Sequence, residues 1–339
     1  MRLDRTPERP SLEGSALAGK VALVTGARGF LGRRLCDRLH AVAARVIRLG
    51  RHPPSDAALP PDVWDLTRDV REPEVWTALP EAPDFVFHFA AQTSVPVADE
   101  DPLRDWQANV QPLLRLLETC REKGWRPGIL FAGSATQVGI TDQGPVGESA
   151  PDRPVTMYDR HKLMAEAYLE HYAQRGWARG ATLRLPNVYG PGPASGARDR
   201  GVLNAMMRRA LRGEPLTLYG DGRPVRDYLF VDDAIDAFLA AAAHLEDVDG
   251  QHFVLGTGVG HTIAEAFALV ADRAAAITGR RPAVEAVTPP PAASPLEART
   301  FVADASRFRD RTGWRPRTSL SEGIDLTLRS LAAEPGAST

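Results

Sequence analysis

Short apolar runs of β type alternate along the first half of the chain with longer stretches in which apolar residues recur every three or four positions. Val21–Thr25, Arg45–Leu49, Phe85–Phe89, Ile129–Ala132 and Ala181–Leu185 read as strands. A stretch that opens in Gly26–Gly32 and runs to about Ala43, then Leu103–Glu122 and Met157–Arg175, read as helices. Strands separated by helices return to the sheet in the same direction, which makes them parallel neighbours. The pattern therefore predicts an α/β fold built on a doubly wound parallel sheet. After about Pro186 the sequence turns irregular and rich in Gly and Pro (Tyr189–Gly201, Gly220–Pro224, Pro289–Pro295), as in a smaller, loop-rich C-terminal lobe over the carboxyl edge of the sheet. Asp232–His244 and Val254–Gly256 return to the sheet. The expected division is a loose tail at 1–18, a sheet domain at 19–185 with about 225–257, and a lobe at 186–224 and 258–330.

Composition narrows the classes. In 339 residues the formal charge is −2 with 25% charged residues, so no global basic field invites nucleic acid and no polybasic patch invites a membrane. Cys36 and Cys120 lie far apart with no CxxC, which argues against a disulfide framework or a zinc site and suits a reducing compartment. No signal peptide or membrane span is visible. The expectation is a soluble cytoplasmic protein without a metal.

Gly26-Ala27-Arg28-Gly29-Phe30-Leu31-Gly32 follows a strand and opens a helix, the context in which a glycine fingerprint signifies a dinucleotide site. Gly26 permits the tight turn, Gly29 lets a pyrophosphate approach the backbone, and Gly32 permits close helix–sheet packing. The helix start offers free N–H groups to the anion. Where an acid would bind the adenosine ribose, the chain reads Leu49-Gly50-Arg51-His52, and no Asp or Glu lies between Asp37 and Asp56. Arg51 is either a partner for a 2′-phosphate or a solvated loop arginine. The first reading favours NADP(H), with NAD the alternative. Asp65 and Leu66 are an adenine contact or a surface acid and its neighbour. The chain carries three lysines against 38 arginines, and Lys162 stands four residues after one of six tyrosines, Tyr158. That spacing puts both on one helical face. A compact ammonium there would lower the pKa of a phenol that has to exchange protons near neutrality.

With these motifs the chain resembles the extended short-chain dehydrogenase/reductases of the nucleotide-sugar type, relatives of NDP-sugar 4-epimerases, 4-ketoreductases and 4,6-dehydratases. The resemblance runs from about Lys20 to Leu328. Thr25–Gly32, Phe87–Gln92, Asp101-Pro102…Asn109-Val110, Phe131–Gly139, Tyr158–Lys162, Leu185–Pro191, Leu218–Asp233 and Thr300–Pro316 carry it. It implies a Rossmann sheet domain and a nucleotide-sugar-binding lobe. Tyr158 is then the proton donor or acceptor at the sugar oxygen, Lys162 lowers its pKa and holds the nicotinamide ribose, and Ser134 hydrogen-bonds the reacting carbonyl. The cofactor would be lined by Gly26, Arg28, Gly29, Phe30, Leu31, Gly32, Arg51, Asp65, Leu66 and Phe89. Ala90, Ala91, Gln92, Asn109, Ala132, Tyr158, Lys162, Pro186 and Val188 complete that lining. The sugar nucleotide would meet Ser94, Ser134, Ala135, Thr136, Asn187, Leu203, Leu216, Tyr219, Arg226 and Arg299, with Asn187 and the two arginines at its diphosphate. Asn109 is alternatively a capping or core residue, and Arg226 beside Asp227 alternatively a plain salt bridge. The family also implies a homodimer through the helices around Leu103–Glu122 and Met157–Arg175, although Val110, Leu113, Leu114 and Leu117 suit a core equally well.

The dehydratases carry an Asp-Glu pair after the active-site Ser/Thr, an extra acid and base for elimination. Ala135 and Thr136 occupy those places, so dehydration is disfavoured, and the decarboxylases' glutamate is missing too. Hydride transfer at the sugar's C4 remains: NADPH-dependent reduction of a 4-keto sugar, or 4-epimerisation with a retained NAD+. The absent ribose acid favours the reductase. Val138 in place of a Tyr, Gln137 before it, and Pro186 in place of an aromatic depart from the pattern and suggest a specialised sugar. A non-catalytic NADP-binding member of the same fold is the reading from another class.

Overall fold

The computed structural model describes residues 16–42, 44–53, 62–141, 144–192, 201–288 and 298–334. In chain order its strands are β1 (Val21–Thr25), β2 (Arg45–Gly50), β3 (Val63–Thr67), β4 (Phe85–His88), β5 (Gly128–Ser134), β6 (Arg179–Leu185), β7 (Asn187–Tyr189), β8 (Leu216–Tyr219), β9 (Val225–Phe230), β10 (Gln251–Val254), β11 (Gly260–Thr262) and β12 (Val284–Val287). The helices are α1 (Phe30–Ala41), α2 (Val95–Glu100), α3 (Pro102–Asn109), α4 (Gln111–Lys123), α5 (Met157–Gln174), α6 (Val202–Leu211), α7 (Val231–Ala243), α8 (Leu245–Val248), α9 (Ile263–Thr278), α10 (Ser306–Thr312) and α11 (Leu320–Ala332).

Seven strands form one parallel sheet in the order β10-β6-β5-β4-β1-β2-β3. From β1 the chain adds β2 and β3 on one side, then returns to lay β4 on the other. The strand order thus reverses between β1 and β4, where a crevice opens at the carboxyl ends. Helices cover both faces, so the strands are apolar on both sides and successive residues feed different cores. Ala22 and Val24 join Leu35 and Leu39 of α1 and Ala234 and Phe238 of α7. Val21 and Leu23 join Leu113 and Leu117 of α4 and Leu169 of α5. The α1–α7 pair is tied outside the core by Arg34 to Asp232 and Arg38 to Asp236, the latter at 2.9 Å.

The doubly wound sheet follows the sequence pattern, with three differences. The single helix expected over Leu103–Glu122 is two, α3 and α4, because Pro112 has no N–H to carry the ladder through; Val110 is the joint. Val110, Leu113 and Leu117 are fully buried within the chain, so that stripe is core. β3 went unpredicted, since Val63-Trp64-Asp65-Leu66-Thr67 places a carboxylate mid-strand. The C-terminal lobe is less loop-rich than its Gly and Pro suggest: α6, α9 and α11 pack Met207, Phe267, Ile324 and Leu328 into a third core beside two small sheets. The expected tail at 1–18 falls mostly outside the described residues, but Leu17 is buried against the sheet domain. Of the segments expected to be irregular, 193–200 within Tyr189–Gly201 and all of Pro289–Pro295 also lie outside the described residues.

Candidate active site

The crevice between β1 and β4 is held by one hydroxyl. Thr25 Oγ1 accepts from the amides of Phe89 (3.1 Å) and Ala90 (3.0 Å). Its own proton is then left for His88 Nδ1, at 3.1 Å. His88 is therefore the Nε2–H tautomer. Burial, helped by the nearby Lys162 cation, pushes its pKa down to about 3. Gly26 turns with φ +64°, and a side chain there would meet Ala90 N at 2.9 Å. Gly32 faces the same turn; a Cβ would come within 2.8 Å of Ala27 Cα. Gly29 caps α1 without a side-chain acceptor, so the first amides of the helix point into the crevice. These are the requirements of a pyrophosphate cradle, and the residues fit a dinucleotide. Phe30 is turned towards the lobe, where Gly192 abuts its ring, and Leu31 lies between two cores.

At the end of β2 the Arg28 guanidinium donates to the Gly50 carbonyl at 3.0 Å and pairs with Asp65, which also lies 3.4 Å from Arg48. The Asp65 side chain is 5% exposed, so it is not a surface acid. Arg51 is exposed just beyond, and Leu66 is half-buried. Among the described residues Arg28, Arg48 and Arg51 gather at this corner around Asp65, with Asp69 near Arg51.

Along the other wall, Phe89, Ala90, Ala91 and Gln92 leave β4 half-buried. Asn109 clamps Gln92 from both sides: its amide donates to Gln92 O at 2.9 Å, and its carbonyl accepts from Gln92 N at 3.2 Å. Its role is thus more than capping. Ser94, at the start of α2, is exposed.

The chemistry-bearing helix is fixed at its first turn. Thr156 accepts from Asp159 N at 3.2 Å while Asp159 accepts from Thr156 N at 3.1 Å, a reciprocal cap. Such a cap contributes on the order of 1 kcal/mol. Asp99 takes the Met157 amide at 2.9 Å. Tyr158, half-buried, and Lys162, buried, then share the face towards β5. The Lys162 ammonium donates to Ala132 O at 2.9 Å, lies 4.7 Å from the Phe131 ring centre and 6.0 Å from that of Tyr158. Burial lowers its pKa to about 8, and the Asp105 carboxylate opposes the fall.

Ser134 ends β5. Its hydroxyl is 2.7 Å from that of Thr136, and its amide donates to Gln137 Oε1 at 2.8 Å. Gln137 is anchored in turn by Glu166 (3.0 Å), which with Asp152 encloses the buried Arg184. Gln137 therefore serves Ser134 from behind. From the three-stranded sheet, Arg226 of β9 donates to the Arg299 carbonyl, and Arg299 donates to Ala135 O at 3.2 Å. Asp227 is engaged instead by the amides of Thr257, Gly258 and Ala303. Asn187 is exposed, Pro186 and Val188 are half-buried, and Tyr219 is 49% exposed. The Leu203 and Leu216 side chains belong to the lobe core, so only their backbone can face a ligand.

Cys36 and Cys120 are buried and free, their thiols pushed up to about 12 by burial, which removes them as nucleophiles. Among the described residues no group of three His, Cys, Asp or Glu could hold a metal, and no helix is long and apolar enough to cross a membrane. Sequence reasoning missed Asp105, His161, Glu166, Arg184 and Asp152. For Asp105 a signal exists, an acid four residues before Asn109 on one helical face.

A glycine turn at a reversed strand order, with Ser134 at the end of β5, Tyr158 and Lys162 on α5 and the buried Arg226 and Arg299 nearby, defines a dinucleotide-dependent class of enzyme. Residues 22–256 match the NAD dependent epimerase/dehydratase family, and the chain belongs to it, as an NAD(P)-dependent extended short-chain dehydrogenase/reductase of the nucleotide-sugar type. The GDP-6-deoxy-D-mannose reductase of Pseudomonas aeruginosa is 30% identical over 90% of this chain and 95% of its own. The UDP-glucose 4-epimerase of Thermus thermophilus, solved in complex with NAD, is 33% identical with a TM-score of 0.80 over 92% of this chain and 99% of that one. The structure of RMD from Pseudomonas aeruginosa complexed with NADPH is 27% identical, with a TM-score of 0.73 over 92% and 98%.

Proposed function

We propose that this protein reduces the C4 ketone of a nucleotide-linked deoxyhexose at the expense of NADPH. The observation that carries the reading is the tip of β2, with Gly50 where an acid would bind the ribose diol and Arg28 and Arg51 around it. A guanidinium fork there suits a 2′-phosphate, and position 50 offers no carboxylate to repel it. The 30% identical reductase supports the same reaction type. When bound, the dinucleotide supplies the hydride. The chain supplies the rest. The first amides of α1 hold the pyrophosphate, and Asn187, Arg226 and Arg299 take the diphosphate of the sugar nucleotide. The Ser134 hydroxyl donates to the oxygen on which charge develops. Tyr158 passes its phenolic proton to that oxygen, and the Lys162 ammonium lowers the cost of the phenolate left behind.

The likeness to an epimerase holding NAD favours a second reading, 4-epimerisation with a retained NAD+. Releasing and identifying any cofactor from the purified protein separates the two. An empty site that binds NADPH above NADH, with NADPH oxidation driven by a 4-keto-6-deoxy sugar nucleotide, supports the reductase. Stoichiometric tightly held NAD+ refutes it. NADPH binding without turnover on any nucleotide sugar, unaltered in Tyr158→Phe, marks a non-catalytic protein instead. Leu103 (66% exposed) on α3 and Met164 (40%) on α5 favour pairing of these helices with a second copy, which light scattering checks as a dimer mass.

A further inference from the structure

Behind the Tyr158–Lys162 face lies a carboxylate to which nothing above gives a task. Asp105 of α3 has no exposed surface. Its Oδ1 accepts from Gln92 Nε2 and from Asn109 Nδ2, each at 2.8 Å, and its Oδ2 lies 2.6 Å from His161 Nδ1. His161 is the residue before Lys162, while Gln92 and Asn109 make the cofactor wall. One buried acid thus ties α5 to that wall.

We propose that Asp105 is a positioning residue for Tyr158 and Lys162: its carboxylate fixes His161 and the Gln92–Asn109 clamp around α5 and is the counter-charge of the Lys162 ammonium. The inference rests on the reading of Tyr158 and Lys162 as the proton pair. A buried carboxylate is expensive unless hydrogen bonds and a cation answer it. Among the described residues the groups that the Lys162 ammonium touches carry no formal negative charge. β5 gives the Ala132 carbonyl and the Phe131 ring, and β4 gives His88, neutral because of its low pKa. On α5 itself stand Tyr158, His161 and the buried Asp159, whose carboxylate caps the helix start by accepting from Thr156 N. The other charges around that helix are engaged elsewhere: Asp99 of α2 with the Met157 amide, Glu118 of α4 with Arg121 and Tyr172, and Arg184 of β6 with Glu166 and Asp152. Asp105 is the group that opposes the effect of burial on Lys162.

The small lysine count makes the test direct. Labelling with lysine carrying ¹³C at Cε gives three signals, and Lys20→Arg and Lys123→Arg assign the third to Lys162. In the wild-type chain Lys162 should titrate near pH 8. In Asp105→Asn, which keeps the shape and the oxygen that accepts from Gln92 and Asn109, its midpoint should fall by roughly one pH unit or more, with Lys20 and Lys123 unmoved. Asp105→Glu should restore most of the shift. A midpoint unchanged in Asp105→Asn overturns the proposal. If that variant does not fold, the wild-type value decides: an unopposed buried lysine titrates near about 5 to 6, so a Lys162 midpoint in that range also overturns it. The titration needs neither cofactor nor substrate. Lack of turnover on sugar nucleotides would leave it standing, and an unmoved midpoint would leave the reductase reading standing.

Discussion

Gly50→Asp should reverse the coenzyme preference. The backbone at Gly50 has no positive φ, so aspartate is tolerated there. The obstacle to its Cβ is the tip of the Arg28 side chain, Nη1 at 2.8 Å, which can swing aside. The new carboxylate then competes for the guanidinium that donates to the Gly50 carbonyl. It also stands close to any 2′-phosphate at this corner. At about 6 Å and an effective dielectric constant of about 20, each unit of like charge costs roughly 2.8 kcal/mol. That is about a hundredfold in affinity. NADH carries no such phosphate and can instead donate its ribose hydroxyls to the acid. The assay is dihydronicotinamide fluorescence titration of wild type and variant with NADPH and NADH. The wild-type ratio should favour NADPH, and the variant should lower it by at least about thirtyfold, mainly through weaker NADPH binding. A ratio within threefold of wild type would show that the tip of β2 does not face the adenosine phosphate.

Three further outcomes follow from the buried charges. Turnover should fall as pH rises through about 8, as Lys162 loses its proton, whereas stability should not fall with it. Because the unfolded lysine holds its proton to about 10.5, the chain gains up to roughly 3 kcal/mol between pH 8 and 10.5, visible as a rising urea midpoint. His88 works at the acid end: neutral when folded down to about pH 3, it lets the unfolded state take up a proton below about 6.5. Stability should then drop by roughly 4 kcal/mol between pH 6.5 and 3, and His88→Asn should flatten that slope in pH-dependent denaturation. Glu166→Gln should cost about 3 kcal/mol or more by leaving the buried Arg184 to Asp152 alone. It should also depress kcat more than it raises KM, since the carboxylate that anchors Gln137 behind the Ser134 amide would be lost.

The parallel sheet was legible because each of its central strands is a short unbroken apolar run, and the cradle because its glycines stand between such a run and a helix. Tyr158 and Lys162 were legible because a helix converts a spacing of four into a shared face. Asp65 was readable as an adenine contact or a surface acid, but its ion pairing was not legible, because only the fold brings Arg28 and Arg48 to it. Asp105 and His161 are 56 positions apart, and Glu166 and Arg184 sit on different elements, so nothing in local spacing announces either pair. The division of Leu103–Glu122 into two helices was readable from Pro112 and was overridden by the continuous apolar stripe.

The Thr25 hydroxyl joins β1 to the exit of β4, so the cradle and the proton apparatus are laid on one stiff frame, while the tip of β2 hangs beyond β1 on the opposite flank. On the function proposed above, choice of coenzyme and handling of protons are thereby separable traits. An engineer could exchange one at Arg28, Gly50 and Arg51 without retuning the other.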